Sequence, residues 1–113
     1  MTEPVVVLIT APDEDEAARI ARALVEESLA ACVNIVRGIR SVYLWQGRVN
    51  DEAECLLAAK TDKALFEGLC RRVKEMHSYQ VPEIIALPIA AGLPEYISWL
   101  EDVTKGRGKH QRP

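Results

Sequence analysis

The sequence has no excess of positive charge, no long hydrophobic run and no recognisable leader. Its 14 Lys and Arg residues are outnumbered by 17 Asp and Glu residues, which gives a formal net charge of -3. Nucleic acid is therefore not expected as a partner, because phosphate binding needs a concentrated basic face. No apolar stretch approaches the ~20 residues of a membrane-spanning helix, and residues 1–4 have neither a basic region nor a cleavage pattern. We expect no membrane partner and no secretory signal.

Cysteines and catalytic signatures are also scarce. Cys32, Cys55 and Cys70 form no CxxC pair and leave one thiol unpaired in any disulfide scheme. This is typical of a reducing compartment, in which thiols act as small core hydrophobes, so a cytoplasmic location is expected. The chain has no GxSxG, HExxH, P-loop or dinucleotide fingerprint. We therefore predict neither an enzyme nor a required cofactor.

What is present is one ordinary globular domain over residues 1–113. A hydrophobic fraction of 49% and a charged fraction of 27% are typical of such a domain, with an ordered core at about residues 4–104 and a basic tail at 105–113. Hydrophobic periodicity predicts the order β-α-β-β-α-β followed by a short helix. The predicted strands are residues 5–9, 31–45, 55–59 and 84–87, and the predicted helices begin near residues 13, 61 and 94.

This order is that of the ferredoxin-like fold, an α+β fold with an antiparallel sheet and helices on one face. The first strand is apolar on both faces and is predicted to be central with the third, whereas Pro88 marks the last strand as a sheet edge. Asp13 and Glu16 have the spacing of a capping box. The acidic residues 13–16 are interpreted as a solvated helix start, because carboxylates are favourable there for dipole reasons.

The second predicted strand is too long for a lone monomer. At ~3.3 Å per residue its 15 or so residues would reach roughly 50 Å, against a radius of gyration near 13 Å for a domain of this size. We expect a bend at Gly38 or a projecting hairpin, with residues 46–51 as its turn. Exposed apolar edges on such a hairpin favour pairing with another chain, so a homo-oligomer is predicted. These edge residues are Val42, Tyr43, Leu44 and Trp45.

Six segments, taken in order, resemble the CutA family of small divalent-cation tolerance proteins. The segments are residues 10–14, 29–35, 41–47, 60–61, 77–89 and 92–100. The resemblance extends from about Val5 to Val103. It implies a ferredoxin-like homotrimer, related in architecture to the PII signalling proteins, with hairpins exchanged between subunits. It also implies a role in tolerance of copper and other divalent cations, without a securely assigned reaction.

The resemblance suggests a copper(II) or other divalent-cation site at His77, with Cys32 and Glu83 as further candidate ligands. Imidazole is a common ligand for copper and zinc; the alternative is a cation that caps a helix C-terminus. Some relatives proposed to bind copper carry a cysteine and a second histidine where this chain has Ile9 and Met76. Met76 is interpreted as a core residue. The alternative for Cys32 is a buried strand thiol.

The resemblance also suggests an inter-subunit cleft lined by five residues of this chain, Trp45, Glu54, Lys60, Tyr79 and Glu83. With Lys60 as a point charge and the aromatic rings as walls, this cleft suits a small anionic or zwitterionic ligand. The alternative is that these residues stabilise the trimer interface. Two other functions stay open: an anchoring trimer that recruits a protein partner, and an acylphosphatase-like enzyme, which the acidic loop at residues 11–14 disfavours because it repels phosphate.

Overall fold

The computed structural model of the protein describes residues 2–105, so the predicted basic tail lies outside the described residues except for Lys105. The strands are β1 (Pro4–Ala11), β2 (Cys32–Trp45), β3 (Arg48–Asp62) and β4 (Ile84–Pro88). The helices are α1 (Glu14–Glu26), α2 (Phe66–Met76, after a 3-10 turn at Lys63–Leu65) and α3 (Pro94–Thr104). None of the helices within residues 2–105 has the length and apolar character needed to cross a membrane.

The four strands form one antiparallel sheet in the order β2-β3-β1-β4. β1 pairs along its whole length with β3, where Leu8 lies opposite Ala58, and its other side pairs with β4, where Leu8 lies opposite Ile85. The predicted ferredoxin-like α+β fold is therefore confirmed. The first and third strands are central, and the strand that ends at Pro88 is an edge.

The main core lies between one face of the sheet and the helices α1 and α2. Every second residue of β1 points into it, so that Val5, Val7 and Ile9 are at most 4% exposed. The other large core side chains are Ile20, Leu24, Leu57, Leu69 and Val73. The opposite face is covered less completely, because α3 contacts β1 and β3 but leaves Val6 and Leu8 only half-buried.

The β2–β3 hairpin is the longest feature of the molecule. Its turn consists of Gln46 and Gly47 alone, whose φ angles of 51° and 75° fit a two-residue I′ turn. The predicted turn at residues 46–51 is thus too long, since β3 already begins at Arg48. A bulge interrupts the pairing between Val36 and Ile39, where Gly38 has a φ of 70°, so the sheet is irregular at the predicted glycine. We call residues 39–53, which lie beyond this bulge and are mostly exposed, the distal hairpin.

The start of α1 has the predicted cap but not the predicted solvation. Oδ1 of Asp13 accepts a 2.8 Å hydrogen bond from the backbone N–H of Glu16. The side chain of Glu16 turns inward and is only 6% exposed. Its Oε2 accepts hydrogen bonds from the N–H and the hydroxyl of Ser78, at 2.9 and 3.0 Å. The interpretation of residues 13–16 as a solvated helix start is therefore wrong for Glu16, which joins α1 to the segment after α2.

Candidate functional site

A cavity of about 610 Å³ lies between the distal hairpin and the segment that joins α2 to β4. We call residues 77–83 of that segment the connector and the cavity the cleft. Its lining residues are Thr10, Ser41, Val42, Tyr43, Trp45, Gln46, Glu54, Tyr79, Gln80, Val81 and Glu83. The volume lies within the range of about 300–1,000 Å³ that is usual for small-molecule sites.

Four of the five predicted cleft residues line this cavity, and the fifth does not. Trp45, Glu54, Tyr79 and Glu83 are at the cleft. Lys60 lies six residues beyond Glu54 on β3, which corresponds to ~20 Å of strand. The point charge predicted to attract an anionic ligand is therefore outside the cleft of this chain.

Aromatic rings form the walls of the cleft. Tyr43 and Trp45 alternate along β2 and so project from the same face of the strand. Trp45 is 51% exposed, and Tyr43 is 38% exposed. Tyr79 approaches from the connector, with its ring 4.7 Å from that of His77. The cleft thus combines partly open aromatic surface with a fixed ring on the connector.

The hydroxyl of each of the two cleft tyrosines donates a hydrogen bond to a glutamate. The hydroxyl of Tyr79 lies 2.7 Å from Oε2 of Glu54, and that of Tyr43 lies 3.0 Å from Oε1 of Glu52. Burial raises the pKa of Tyr79, and the hydrogen bond to Glu54 raises it further. The pKa of Tyr43 is also raised, chiefly by its hydrogen bond to Glu52. Both phenols are therefore neutral donors in a field of negative charge.

The ring of His77 is buried beside the cleft, and both of its nitrogens are occupied. The backbone N–H of Tyr79 donates to Nδ1 at 3.0 Å. Because an amide can only donate, the ring proton must be on Nε2, which donates to the carbonyl oxygen of Thr10 at 2.7 Å. Oε2 of Glu16 lies 3.4 Å from Nδ1. The ring therefore bonds to the backbone of Thr10 and Tyr79, although His77 does stand at the C-terminal cap of α2, as the alternative to a metal ligand expected.

The sequence matches the family of CutA1 divalent ion tolerance proteins over residues 5–103. The chain belongs to the CutA family. It is 58% identical over 99 residues to the divalent-cation tolerance protein CutA of Thermus thermophilus, covering 88% of this chain and 96% of that relative. It is 48% identical over 101 residues to the chloroplastic protein CutA 1 of Oryza sativa, covering 89% of this chain but only 57% of that relative.

Solved structures of the CutA family have the same fold. The structure of the Thermus thermophilus protein superposes with a TM-score of 0.83 and covers 88% of this chain and 95% of that one, at 58% identity. The structure of CutA1 from Oryza sativa has a TM-score of 0.87 at 46% identity, with coverage of 89% and 93%. The chain spans little more than half of the rice relative in sequence, so only the CutA domain is compared.

The metal ligands predicted from the family resemblance do not converge within one chain. Cys32 pairs with Lys60, which in turn pairs with Val6 of β1. The carbonyl that bonds to His77 belongs to Thr10, four residues or ~13 Å further along β1. Within residues 2–105, no group of three or more His, Cys, Asp and Glu side chains is arranged to hold a metal ion. A ligand role for His77, Cys32 or Glu83 stays a prediction.

Ile9 and Met76, which replace two of the expected metal ligands, belong to the core. Ile9 is fully buried on the helix-facing side of β1. Met76 is partly buried and packs against the same core cluster. The interpretation of Met76 as a core residue is confirmed.

Sequence reasoning missed three residues that shape this CutA site. Glu16 was interpreted as solvated, although its spacing from Ile20 and Leu24 places it on the buried face of α1. The sequence predicts only an apolar edge at Tyr43, although Tyr43 alternates with Trp45 along β2. Thr10 carries no side-chain signal for its role, because it is the backbone carbonyl that receives His77.

Proposed function

We propose that this CutA protein acts in divalent-cation tolerance as a homotrimer and binds a cation in each cleft. The observation that carries the proposal is the charge of the cleft. Its lining within residues 2–105 includes the carboxylates of Glu54 and Glu83 and no Lys, Arg or His. Glu54 is 6% exposed, and a buried carboxylate is stable only where hydrogen bonds or opposite charge compensate it. The Tyr79 hydroxyl supplies one hydrogen bond, and a bound cation would supply the opposite charge.

The surface of the distal hairpin supports assembly. Leu44 and Val49 lie opposite each other near its tip and are 70% and 75% exposed. At the opposite edge of the sheet from β2, the strand β4 has two exposed apolar residues, Ile85 and Leu87, each 49% exposed. Contiguous exposed apolar surface and an open strand edge both favour pairing with another chain. We infer that the hairpin of one subunit docks on its neighbours, and the resemblance to the family implies three subunits.

The state of the cysteines supports the proposed cytoplasmic location. All three are free thiols; Cys55 is buried, and Cys32 and Cys70 are half-buried. Burial raises the pKa of the Cys70 thiol, and the charge of Glu67 adds to this effect. A thiol with a raised pKa holds less thiolate at neutral pH and reacts more slowly. Free thiols without disulfide partners are typical of a reducing compartment.

Light scattering on the full chain tests the assembly. The wild type should have the mass of a trimer, and Leu44→Glu should dissociate at low micromolar concentration because it places a charge in the apolar contact. Lys105→Glu, a charge change on the exposed end of α3, is the control and should stay trimeric. A monomeric wild type, or a Leu44→Glu trimer as stable as the wild type, would overturn the proposed role of the hairpin.

Calorimetric titration with Cu(II), phenethylammonium and inorganic phosphate tests the cleft. At least one of the two cations should saturate at one site per subunit and lose binding in Glu54→Gln, whereas phosphate should not bind. Cu(II) binding that persists in Glu54→Gln but disappears in His77→Ala would place the ion at His77 and contradict the cleft as the site. Binding of neither cation by an intact trimer would overturn the cation-binding role and favour the anchoring alternative.

A further inference from the structure

The carboxylates and phenols of the cleft present acceptors to a ligand, whereas the hydroxyls and amides of the lining can each donate or accept. Both phenolic protons are used within the chain, since Tyr79 donates to Glu54 and Tyr43 donates to Glu52. A phenol that donates its proton keeps its oxygen lone pairs, and an ionised carboxylate can only accept. The carboxylates and phenols of the lining therefore offer acceptors to a ligand. A ligand with several N–H donors complements them.

Bare metal ions complement the cleft less well. Copper prefers imidazole nitrogen or sulfur ligands, and the described lining includes no histidine and no cysteine. Calcium takes six to eight oxygen ligands, but the part of the chain that the structure describes places no three acidic, His or Cys side chains together. Magnesium keeps several of its waters, so Glu54 and Glu83 would hold it only as a largely hydrated ion.

The aromatic walls add a second requirement. Tyr43 and Trp45 project from one face of β2, and Trp45 is half-exposed with its ring at the cavity. Aromatic faces attract organic cations and cover apolar surface at the same time. A hydrated metal ion uses neither property well. The cavity, at about 610 Å³, has room for a body of several carbon atoms.

We propose that the ligand of the cleft is an organic cation, with an ammonium or guanidinium group carried on an apolar body. The inference rests on the proposed function, cation binding in the cleft, and specifies the class of cation. The charged group donates hydrogen bonds to Glu54 and Glu83, and the apolar body lies against Trp45 and Tyr43. On this inference, the cleft of each subunit takes an organic ligand and not the bare metal ion.

Three isosteric probes test this class directly: phenethylammonium, 2-phenylethanol and phenylacetate. They share one aromatic body and differ in the charge of the end group. Titrated into the assembled full chain, phenethylammonium should bind at one site per subunit. The neutral alcohol should bind at least about tenfold more weakly, because it lacks the charge-assisted hydrogen bonds, and phenylacetate should not bind. Cu(II), run in parallel, should not compete with phenethylammonium.

Matched variants distinguish the contribution of the carboxylates to binding from that of the aromatic walls. Glu54→Gln and Glu83→Gln should each weaken phenethylammonium binding about tenfold or more. Trp45→Leu should weaken it about two- to fivefold through loss of the cation–π contact. Glu95→Gln, on α3 and outside the cleft lining, should leave the affinity unchanged. Because Glu83 is exposed, its variant should fold even if the replacement of buried Glu54 disturbs the chain.

The outcomes distinguish this inference from the proposed function. Cu(II) binding that depends on Glu54, without binding of phenethylammonium, would overturn the organic-cation class and leave cation binding in the cleft standing. Equal affinity for phenethylammonium and 2-phenylethanol would overturn the role of charge. Phenylacetate as the only bound probe would overturn both proposals.

Discussion

The hydroxyl of Tyr79 and Oε2 of Glu54, 2.7 Å apart, join the connector to the hairpin across the cleft. The two residues are separated by the whole of α2, so this hydrogen bond links distant parts of the chain. Glu54 is the first buried residue of β3 after the exposed distal hairpin. The bond therefore lies at the boundary between the sheet and its projecting part.

The Tyr79 phenol should make stability depend on alkaline pH. Its pKa in the folded protein is raised by burial and by Glu54. A group with a raised folded pKa contributes fully below its unfolded pKa of about 10, and that contribution is lost as pH rises through the folded pKa. The urea midpoint of the wild type should therefore fall more steeply above about pH 10 than that of Tyr79→Phe. Equal alkaline slopes in the two proteins would contradict the link to Tyr79.

His77 should be required for stability whether or not a metal binds. Replacement by alanine leaves the Thr10 carbonyl and the Tyr79 amide without their partner. Each buried group left unsatisfied costs about 1–3 kcal/mol. Because the Tyr79 amide is only partly buried, His77→Ala should lose about 2–4 kcal/mol of unfolding free energy in metal-free buffer. The neighbouring change Met76→Leu should cost less than about 1.5 kcal/mol. A His77→Ala protein as stable as the wild type without metal would refute this structural role.

The glycines should respond to alanine according to their backbone angles. Gly38 and Gly47 have φ angles of 70° and 75°, and a Cβ at either would meet nothing within 4 Å. The cost of Gly38→Ala or Gly47→Ala is therefore conformational, about 1–2 kcal/mol. At Gly68, inside α2, a Cβ would make ordinary contact with Leu29 at 3.6 Å, so Gly68→Ala should stabilise by about 0.5–1 kcal/mol. Urea denaturation of the three variants measures whether the unfolding free energy falls for Gly38→Ala and Gly47→Ala and rises for Gly68→Ala.

Asp62 should stabilise two segments at once. Its Oδ1 accepts a hydrogen bond from the N–H of Ala64 at the start of the 3-10 turn, and its Oδ2 accepts one from the N–H of Glu3. Asp62→Ala should cost about 1–2 kcal/mol, as the loss of an N-cap does. Asp51→Ala removes a bidentate but exposed ion pair with Arg40 and should cost clearly less. A larger loss in Asp51→Ala than in Asp62→Ala would reverse this ranking.

The parts of the fold that the sequence predicted depend on local signals. The apolar run at β1, the proline that ends β4 and the glycine at the bulge act through their own backbone and burial preferences, which neighbours cannot easily override. The predicted hairpin turn is too broad, because three of the four residues at 48–51 are polar. Polar residues are tolerated there because this end of β3 is mostly exposed.

The candidate site was harder to predict, because its contacts join distant segments. The distance of Lys60 from the cleft follows from the strand register, which a list of polar positions does not contain. The inward turn of Glu16 depends on Ser78, 62 residues away. The two partners of His77 are a carbonyl and an amide of the main chain. Every residue except proline has both groups, so the sequence does not indicate which of them His77 contacts.

The central position of β1 has a consequence for synthesis on the ribosome. This strand leaves the ribosome before both of its neighbours, β3 and β4, which end at Asp62 and Pro88. Because synthesis proceeds at about 5–20 residues per second, both edges of β1 are complete only after β4 is made, on the order of 10 s later. During that interval an apolar strand is accessible to chaperones and to nascent copies of the same chain. Slower translation ahead of residue 84 should therefore raise the yield of aggregates more than slower translation after residue 88.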